Sequence, residues 1–588
     1  MSRIAIINKE KCHPEECGNL CLKKCPINKK GDECIIIGDH GKAQISEELC
    51  IGCGICPKVC PFGAIDIINL PEEMESTPIH RYGENAFALY NLPTPTFGKV
   101  VGLLGRNGIG KSTAMKILAG VLSPNFENYE QQLGFEELAR RFKGTEAQDY
   151  FEKLSKGEIR LSFKPQQIEM IPQTFDGKVR ELLKKVDEKG EFNKISETLE
   201  LEEILDRDIK NVSGGELQRI AIAASVLKKA DVYFFDEPTS YMDIKQRLKI
   251  GKFLRSLADE NTAVMVIEHD LIILDYLTDY IHLLYGREGA YGVVSGLKST
   301  KKGINAYLHG YLREENIRFR DHEILFSTNP EEEEVSSQRL ISWPEFDKKL
   351  GEFELDVKKG TIYRSDIVGV LGENGIGKTS FVKELVAASK EESGVKLDVN
   401  ENIGELKVAY KPQYIEPEET IVRLYLKKAL KYKIELLKPL NLEGLLDQPV
   451  KSLSGGELQR VTIAKTLAED ANIYLLDEPS AYLDVEQRLR LSKVIRNMME
   501  IKRGSALVVD HDLLFIDYIS KRLLVFEGKP AVHGNVTGPF SMVEGMFNFL
   551  KDLLITFRRD EVTKRPRVNK PDSQKDKEQK ASGKLYYT

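Results

Sequence analysis

The 588-residue sequence contains no cysteine after position 60, one tryptophan and no apolar run long enough to cross a bilayer. A membrane span needs about 20 apolar residues, and the longest candidate, residues 270–285, is interrupted by Asp275 and Asp279. The opening residues, MSRIAIINKEKC, include no apolar secretion signal. The net charge of -6 is too acidic for a general nucleic-acid coat, so any basic contact surface must be local. We therefore expect a cytoplasmic protein without membrane contact.

All nine cysteines lie within the first 60 residues. The run from Cys50 to Pro61 has the spacing C-x2-C-x2-C-x3-C-P, which is typical of thiolates that bind [4Fe–4S] clusters, with the last cysteine reaching a second cluster. A looser copy precedes it, and the reciprocal pattern predicts two clusters, one held by Cys12, Cys17, Cys21 and Cys60 and the other by Cys50, Cys53, Cys56 and Cys25. Structural zinc is the alternative. Cys34 is left over and is expected to be a small buried apolar residue. Residues 1–70 resemble a bacterial two-cluster ferredoxin, although the first copy departs from the ferredoxin spacing.

The rest of the chain is an internal repeat that begins with two glycine-rich loops. Each loop fits G-x4-G-K-[ST], follows an apolar strand and precedes a helix. Backbone N–H groups of such a loop cradle phosphate oxygens, the lysine reaches the β- and γ-phosphates, and the hydroxyl residue binds Mg²⁺. The predicted nucleotide-binding residues are Gly105, Asn107, Gly108, Gly110, Lys111, Ser112 and Thr113 in the first half, and Gly372, Asn374, Gly375, Gly377, Lys378, Thr379 and Ser380 in the second.

Two further motifs recur in both halves. Apolar strands end in the acidic pairs Asp236-Glu237 and Asp477-Glu478, in which the aspartate is placed to hold magnesium and the glutamate to orient or deprotonate water. Between loop and acidic pair, S-G-G-E-L-Q-R occurs twice, from Ser213 and from Ser454. A serine and two glycines before a helix leave free N–H groups and a hydroxyl, which predicts an anion site for a γ-phosphate.

These motifs resemble the ATP-binding-cassette ATPases, and further marks of that family are present. Gln166 and Gln413 match the glutamine loops, which contact the metal and the γ-phosphate; residues 240–243 and 481–484 match the D-loops; His269 and His511 match the switch histidines. Tyr82 and Phe87, and in the second half Phe353, are candidates for stacking on adenine.

The resemblance also implies that two cassettes close head to tail within one monomer, each nucleotide lying between the phosphate loop of one and the signature of the other. One composite site would combine Lys111, Ser112, Gln166, Asp236, Glu237 and His269 with Ser454 and Gly456. The other would combine Lys378, Thr379, Gln413, Asp477, Glu478 and His511 with Ser213 and Gly215. Glu237, Glu478, His269 and His511 are the expected catalytic residues, and Ser112, Gln166, Thr379 and Gln413 the expected magnesium ligands.

Three segments lie outside the common cassette pattern. The first half has about 20 extra residues between Lys111 and Gln166, which predict a partner-binding helix–loop–helix at about 134–158. The linker 298–320 and the tail 558–588 are rich in lysine and arginine, which favours a hinge with a basic face that binds RNA phosphates. The acidic loop 331–334 follows the linker.

Over its full length the chain resembles the E subfamily of ATP-binding-cassette proteins, the RNase L inhibitor family of ribosome-recycling ATPases. The stretches that carry this resemblance include L49-CIGCGICPKVCPFGAI, N316-IRFRD and R565-PRVNK. It implies an α/β fold in five segments: a ferredoxin-like α+β domain (1–70), a first cassette (71–290), a hinge (291–335), a second cassette (336–540), and a C-terminal hinge segment with a basic tail (541–588).

The resemblance further implies that ATP-driven closure splits ribosomes after termination or stalling, and that the protein then stays on the small subunit. The expected partners are rRNA, ribosomal proteins and a release factor or a Pelota-like factor, with a further role in initiation or ribosome biogenesis. Two alternatives stay open at this point, an ATP-coupled electron-transfer protein and the soluble ATPase subunit of a transporter. No flavin or nicotinamide fingerprint accompanies the cysteines, and a transporter subunit would have no use for a ferredoxin module.

Overall fold

In the computed structural model the chain forms two compact units. One unit comprises Met1–Ser240, Lys252–His269 and Leu277–His322, and the other comprises Tyr241–Gly251, Asp270–Tyr276 and Glu323–Thr588. The structure describes residues 3–7, 11–38, 41–46, 49–69, 77–83, 86–129, 134–320, 323–324, 326, 338–401, 406–553, 555–570 and 573–586. The acidic loop 331–334 lies outside the described residues.

The cysteine-rich segment is a small domain built on an antiparallel pair of strands. Its elements are β1 (Arg3–Ile7), α1 (Pro14–Cys17), α2 (Leu20–Lys24), β2 (Ile35–Ile37), β3 (Ala43–Ile45), α3 (Ile55–Val59) and β4 (Ile65–Asn69). β1 pairs with β4 and β2 pairs with β3. Because the elements are short, the buried core consists of a few aliphatic side chains and the cysteines themselves.

The first half of the repeat is a mostly parallel sheet with helices. Its elements are β5 (His80–Arg81), β6 (Ala88–Tyr90), β7 (Val100–Leu104), α4 (Lys111–Leu118), α5 (Phe135–Arg141), α6 (Glu146–Ser155), β8 (Leu161–Lys164), α7 (Ile171–Thr174), α8 (Val179–Val186), α9 (Phe192–Thr198), α10 (Gly214–Val226), β9 (Val232–Asp236), α11 (Ile244–Ser256), β10 (Ala263–Ile267), α12 (Leu271–Leu277), β11 (Tyr280–Arg287) and β12 (Tyr291–Val294). The strand order is β5-β6-β12-β11-β7-β10-β9-β8. The last five strands in this order, β11, β7, β10, β9 and β8, are parallel to one another. β7, β9 and β10 are buried along their whole length, as their continuous apolar sequences require.

The linker and the second half follow. The linker contains β13 (Lys298–Ser299), α13 (Thr300–His309), β14 (Tyr311–Leu312) and β15 (Ile317–Arg318). The second half contains β16 (Arg339–Trp343), β17 (Phe346–Leu350), β18 (Phe353–Val357), β19 (Gly360–Tyr363), β20 (Ile367–Leu371), α14 (Lys378–Ser389), β21 (Asp398–Val399), β22 (Val408–Lys411), α15 (Val422–Tyr425), α16 (Gly455–Ala468), β23 (Ile473–Asp477), α17 (Val485–Lys502), β24 (Ser505–Val509), α18 (Leu513–Ile519), β25 (Arg522–Lys529) and β26 (His533–Ser541). Its sheet order, β17-β18-β26-β25-β20-β24-β23-β22, repeats the parallel block of the first half. The α/β prediction is confirmed.

The C-terminal segment folds onto the second unit. Its elements are α19 (Met542–Leu553), β27 (Phe557–Arg559), β28 (Pro566–Val568) and α20 (Gln574–Ser582). β27 and β28 form an antiparallel pair. Phe557, Val568 and Tyr586 are buried, so this segment is a packed part of the fold.

The helical pair predicted in the insertion is present as α5 and α6. Leu138, Tyr150, Phe151 and Leu154 belong to the core of the first half. The apolar face of the pair is therefore already covered by the cassette, and only its polar face remains for a partner. In the described part of the chain, no helix is both long and apolar enough to span a membrane.

Candidate active site

Both phosphate loops follow an interior strand of a parallel block, β7 or β20, at its carboxyl end. Ligands of open α/β sheets bind at this edge. Gly110 and Gly377 have φ values of 92° and 95°, and a Cβ on Gly110 would lie 2.6 Å from the Phe87 ring. Only glycine combines this left-handed backbone with so close an approach.

The loop lysines are the first residues of the helices that follow. Lys111 Nζ donates to the carbonyls of Gly105 and Arg106, at 2.9 and 2.6 Å. Lys378 Nζ donates to the equivalent carbonyls of its own loop at 2.8 and 2.6 Å. Burial lowers the pKa of Lys378 to about 8, although Asp243 and other acidic groups oppose the shift. Each ammonium group therefore lies inside its own loop, at the place where phosphate oxygens are predicted to bind.

Asp236 and Asp477 end the strands β9 and β23, and one strand, β10 or β24, separates each of these from the strand that precedes the phosphate loop. Both are buried, and burial raises the pKa of each carboxyl group. Thr379 Oγ1 donates to Asp477 Oδ2 at 2.9 Å, and Ser112 lies next to Asp236. In the part of the chain that the structure describes, the other oxygen of Asp477 and both oxygens of Asp236 have no hydrogen-bond partner. A buried carboxylate oxygen without a donor, beside a hydroxyl oxygen, suits Mg²⁺.

The next residues, Glu237 and Glu478, are each held by the predicted glutamine and histidine. Gln166 Nε2 donates to Glu237 Oε1 at 2.8 Å, and His269 Nε2 lies 3.1 Å from the same oxygen. In the second half the distances from Gln413 and His511 to Glu478 Oε1 are 2.7 and 3.4 Å.

The pKa values of both glutamates follow from these contacts. Burial opposes ionisation of Glu237, but the hydrogen bond and charge of His269 outweigh it and lower the pKa to about 2. His511 does the same for Glu478, whose pKa is also lowered to about 2. Each half therefore presents an ionised, oriented carboxylate.

The two signature serines cap long helices. Ser213 and Ser454 accept from Glu216 N and Glu457 N at 3.4 Å, and each glutamate accepts in return from the serine N–H and hydroxyl. This reciprocal arrangement is a capping box. Gly215 lies in the first turn of α10 and Gly456 in that of α16. Ser213 belongs to the first unit and Ser454 to the second.

Three of the four D-loop residues of the first half, Tyr241 to Asp243, are grouped with the second unit, and Asp243 lies next to the second phosphate loop. Asp243 Oδ2 accepts from Asn374 N at 3.0 Å, and Lys245 Nζ lies 2.6 Å from Glu373 Oε1. Residues 241–251 are grouped with this unit. The first D-loop thus touches the phosphate loop of the other half.

The three aromatic candidates occupy two kinds of position. Phe87 and Phe353 are equivalent, because their rings pack against Gly110 and Gly377 under the two phosphate loops. Tyr82 is 55% exposed, and its hydroxyl lies 3.2 Å from Thr113 Oγ1. An exposed ring beside the first phosphate-loop helix is the better surface for adenine, so we favour Tyr82 over Phe87 in the first half.

Two sets of cysteines lie close together in the folded domain. Cys25, Cys50, Cys53 and Cys56 line one cavity. Cys21 lies close to Cys17, Cys12 and Cys60, and its pKa is raised first by burial and then by these thiols. Cys34 is 2% exposed and lies in the wall of the first cavity. Among the residues that the structure describes, no three His, Cys, Asp or Glu side chains converge as ligands of a single metal ion. Four thiols around a cavity fit a polynuclear cluster.

The structure largely buries five of the basic residues that were predicted to contribute to a basic face of the linker and tail. Lys298 is buried and forms ion pairs with Glu314 and Glu315. Four arginines of the linker and tail are also largely buried: Arg320, Arg559, Arg565 and Arg567. The three tail arginines are paired with aspartates, because internal carboxylates neutralise them. Four linker cations remain exposed: Lys301, Lys302, Arg313 and Arg318.

Sequence reasoning missed two residues in each half that also hold the glutamate of the acidic pair. Lys164 and Gln218 contact the main chain of Glu237, and Lys411 and Gln459 contact that of Glu478. The signal was available, because a lysine ends an apolar strand two residues before the glutamine in both halves.

Comparison with known proteins gives matches over the whole chain. The family model described as ABC transporter matches residues 95–240 and 355–481, and the model described as 4Fe-4S binding domain matches residues 43–66. An uncharacterised ABC transporter ATP-binding protein of Methanocaldococcus jannaschii is 50% identical, over 100% of this chain and 97% of its own length. ABC transporter E family member 1 of Arabidopsis thaliana is 46% identical, over 100% and 99%.

Solved structures match equally well. A model of ribosome-bound archaeal Pelota and ABCE1 includes a chain that is 52% identical, with a TM-score of 0.92 and coverage of 100% of this chain and 99% of that one. A complex of the archaeal ribosomal stalk protein aP1 with the archaeal ribosome recycling factor aABCE1 includes a chain that is 51% identical, with a TM-score of 0.81 and coverage of 87% and 99%.

Proposed function

Because the chain belongs to the ABC transporter E family, we propose that it uses ATP hydrolysis to split ribosomes into subunits. The observation that carries this proposal is the full-length similarity to the ABCE1 chain of a ribosome-bound complex with Pelota. The similar chain bound to a stalk protein points to the same particle. The expected partners are the small ribosomal subunit and a release factor or Pelota-like factor, and the expected location is the cytoplasm.

The chain is an ATP hydrolase, and its own residues suggest how each half acts. Lys111 or Lys378 leaves its loop carbonyls to bind the β- and γ-phosphates, while the loop N–H groups hold the remaining oxygens. Glu237 or Glu478 accepts a proton from the attacking water, since it is ionised and fixed on both sides.

Magnesium would be held in each half by the hydroxyl residue, the glutamine and the aspartate. These residues are Ser112, Gln166 and Asp236, and Thr379, Gln413 and Asp477. When bound, the ion neutralises charge on the β- and γ-phosphates.

The closed state is proposed to join each phosphate loop to the signature of the other half, within one monomer. Lys111 would face Ser454 and Gly456, and Lys378 would face Ser213 and Gly215. The contact of Asp243 with Asn374 supports this arrangement at the second site. ATP then stabilises closure because both halves bind it, and hydrolysis removes the γ-phosphate that they share.

The cysteine domain is proposed to carry two [4Fe–4S] clusters. One would be held by Cys12, Cys17, Cys21 and Cys60, and the other by Cys25, Cys50, Cys53 and Cys56. Bound clusters would join helices and strands that have little apolar core of their own. Their proposed role is structural, and the proposed segments of the chain are 1–70, 71–290, 291–335, 336–540 and 541–588.

Exposed cations of the linker are the proposed RNA contact. Lys301, Lys302, Arg313 and Arg318 remain accessible, whereas Arg559, Arg565 and Arg567 of the tail form internal ion pairs. Substitution of the four linker cations by glutamine should weaken small-subunit binding in a salt-dependent manner.

The test is anaerobic co-sedimentation of the Glu237→Gln, Glu478→Gln double variant with ribosomal subunits. ATP-dependent migration with the small subunit is expected, because ATP would bind without being consumed and hold the clamp closed. The wild-type protein with ADP is the control. Failure to migrate with either subunit in ATP would refute the ribosomal proposal, while leaving ATP hydrolysis in place.

A further inference from the structure

Glu237 and Glu478 have an unusual backbone. Each follows the last residue of a buried strand and has a φ of 47°, a left-handed conformation that is unfavourable for a non-glycine residue. The N–H group of Glu237 donates to Ile267 O at 3.0 Å, and that of Glu478 donates to Val509 O at 2.8 Å. The neighbouring parallel strand therefore fixes the amide side of each residue.

A buried lysine holds the carbonyl side. Lys164 Nζ donates to Asp236 O at 2.8 Å and to Glu237 O at 3.2 Å. Lys411 Nζ donates to Asp477 O at 2.7 Å and to Glu478 O at 3.2 Å. Both lysines have 0% exposure and end the edge strand next to the acidic strand.

A glutamine of the signature helix holds the same carbonyl. Gln218 Nε2 donates to Glu237 O, and Gln459 Nε2 donates to Glu478 O, both at 2.7 Å. The two halves thus repeat one arrangement, although they lie in different units. A buried ammonium group is expensive, and here it meets main-chain carbonyls, with Asp236 or Asp477 as the nearest opposing charge.

We propose that Lys164 and Lys411 are positioning residues for ATP hydrolysis, which keep the main chain of Glu237 and Glu478 in the turn that aims each carboxylate at the attacking water. This inference rests on the proposed catalytic role of the two glutamates. The carboxylates are anchored from the opposite side by Gln166 and His269, or by Gln413 and His511. Without the lysine, the glutamate would keep its side-chain partners but lose one support of its carbonyl.

Loss of a positioning residue should lower the turnover number but leave the affinity for ATP unchanged, whereas loss of a purely structural residue should affect both. The lysines contact no residue of the phosphate loops in the bonds described, so ATP affinity should be retained. A displacement of the base by about 1 Å can reduce turnover by roughly a hundredfold.

The experiment measures Lys164→Met in a Glu478→Gln background, so that hydrolysis reports the site of the first half. We expect kcat to fall about ten- to a hundredfold, with KM for ATP and the binding of a fluorescent ATP analogue changed by less than about threefold. Lys411→Met in a Glu237→Gln background should behave alike at the other site. Lys298→Met is the matched control, because Lys298 is also buried but pairs with Glu314 and Glu315; its kcat should match that of its background.

A double-mutant cycle identifies the route of the effect. Added to Glu237→Gln, Lys164→Met should reduce single-turnover hydrolysis by less than threefold, because the residue that it positions is already inactive. Three results would overturn the inference. Lys164→Met could reduce the hydrolysis rate equally with and without Glu237, or it could weaken ATP binding as much as it reduces kcat. The control Lys298→Met could also lose as much kcat as Lys164→Met. If Lys164→Met does not fold, the Gln218→Leu variant takes its place, because it removes the other donor to the carbonyl of Glu237. An unchanged kcat in Gln218→Leu would also overturn the inference. Full activity of Glu237→Gln alone would instead refute the proposed base.

Discussion

Asp517 is a buried carboxylate on α18 that fastens the C-terminal segment to the second unit. Its side chain is 2% exposed and accepts from Arg559 Nη1 and Nη2 at 2.9 and 3.1 Å. The hydroxyl of Tyr586 donates to the same carboxylate. Asp275 and Asp517 hold equivalent positions, because each lies six residues after a switch histidine, His269 or His511. Asp275 belongs to the same unit and accepts from Arg567 Nε and Nη2 at 2.6 and 2.8 Å.

The expected effect of Asp517→Asn follows from this burial. Arg559 is 10% exposed, so neutralising Asp517 leaves a buried guanidinium without its counter-charge. Removing one partner of such a pair costs about 3–5 kcal/mol. If this free energy stabilises docking of the segment, a loss of about 3 kcal/mol raises the open population roughly a hundredfold.

Hydrogen exchange measures that population. The amide of Phe557 donates to Leu585 O at 2.7 Å and that of Asn569 to Thr556 O at 3.0 Å. Exchange at these amides should accelerate roughly a hundredfold in Asp517→Asn. Asp447→Asn is the control, because Asp447 forms a two-bond ion pair with Arg423 in which the side chains are 69% and 48% exposed. That change should cost less than about 1 kcal/mol.

Two results would refute the reasoning. One is unchanged protection of β27 and β28 in Asp517→Asn, which would mean that apolar contacts alone dock the segment. The other is additive behaviour in an Asp517→Leu, Arg559→Met cycle, since a coupled buried pair should lose less in the double variant than the two single losses combined.

Three other predictions concern the clusters, the nucleotide and pH. Cys25→Ser should lower the iron content by about one cluster and alter the spectrum of the cluster held by Cys50, Cys53 and Cys56; loss of the other cluster instead would contradict the crossover. Tyr82→Ala should weaken ATP binding at the first site by about 1–2 kcal/mol, because stacking on adenine is lost. Site-specific titrations that show equal weakening at both sites would contradict this role of Tyr82. Because the pKa of Glu478 is lowered to about 2, its ionised form stabilises the fold above the unfolded pKa near 4.5, and this stability is lost as the pH falls through about 2. Urea unfolding should therefore show a wild-type advantage over Glu478→Gln that shrinks by roughly 2–4 kcal/mol between pH 5 and 2; a constant difference would contradict the shift.

Much of the chemistry could be predicted from the sequence, because it depends on short local patterns. The phosphate loops, the acidic pairs and the signature serines are each continuous segments in which residue type sets the contact. Their repetition in two halves made chance matches improbable, and the structure places both copies at the same edge of equivalent sheets. The assignment of Cys25 to the group of Cys50, Cys53 and Cys56 came from spacing alone, and these four residues line one cavity.

What the sequence could not determine depends on burial and on distant partners. The tail reads as a free basic segment, yet Arg559, Arg565 and Arg567 are neutralised by Asp517 and Asp275, which are far away along the chain. Lys164 looks like an ordinary polar strand end, and only the fold shows that it is fully buried against the main chain of the catalytic glutamate. Residue type and spacing fix what a group can do, whereas the tertiary structure decides which groups lose water and meet, because desolvation and pairing depend on every element that surrounds them.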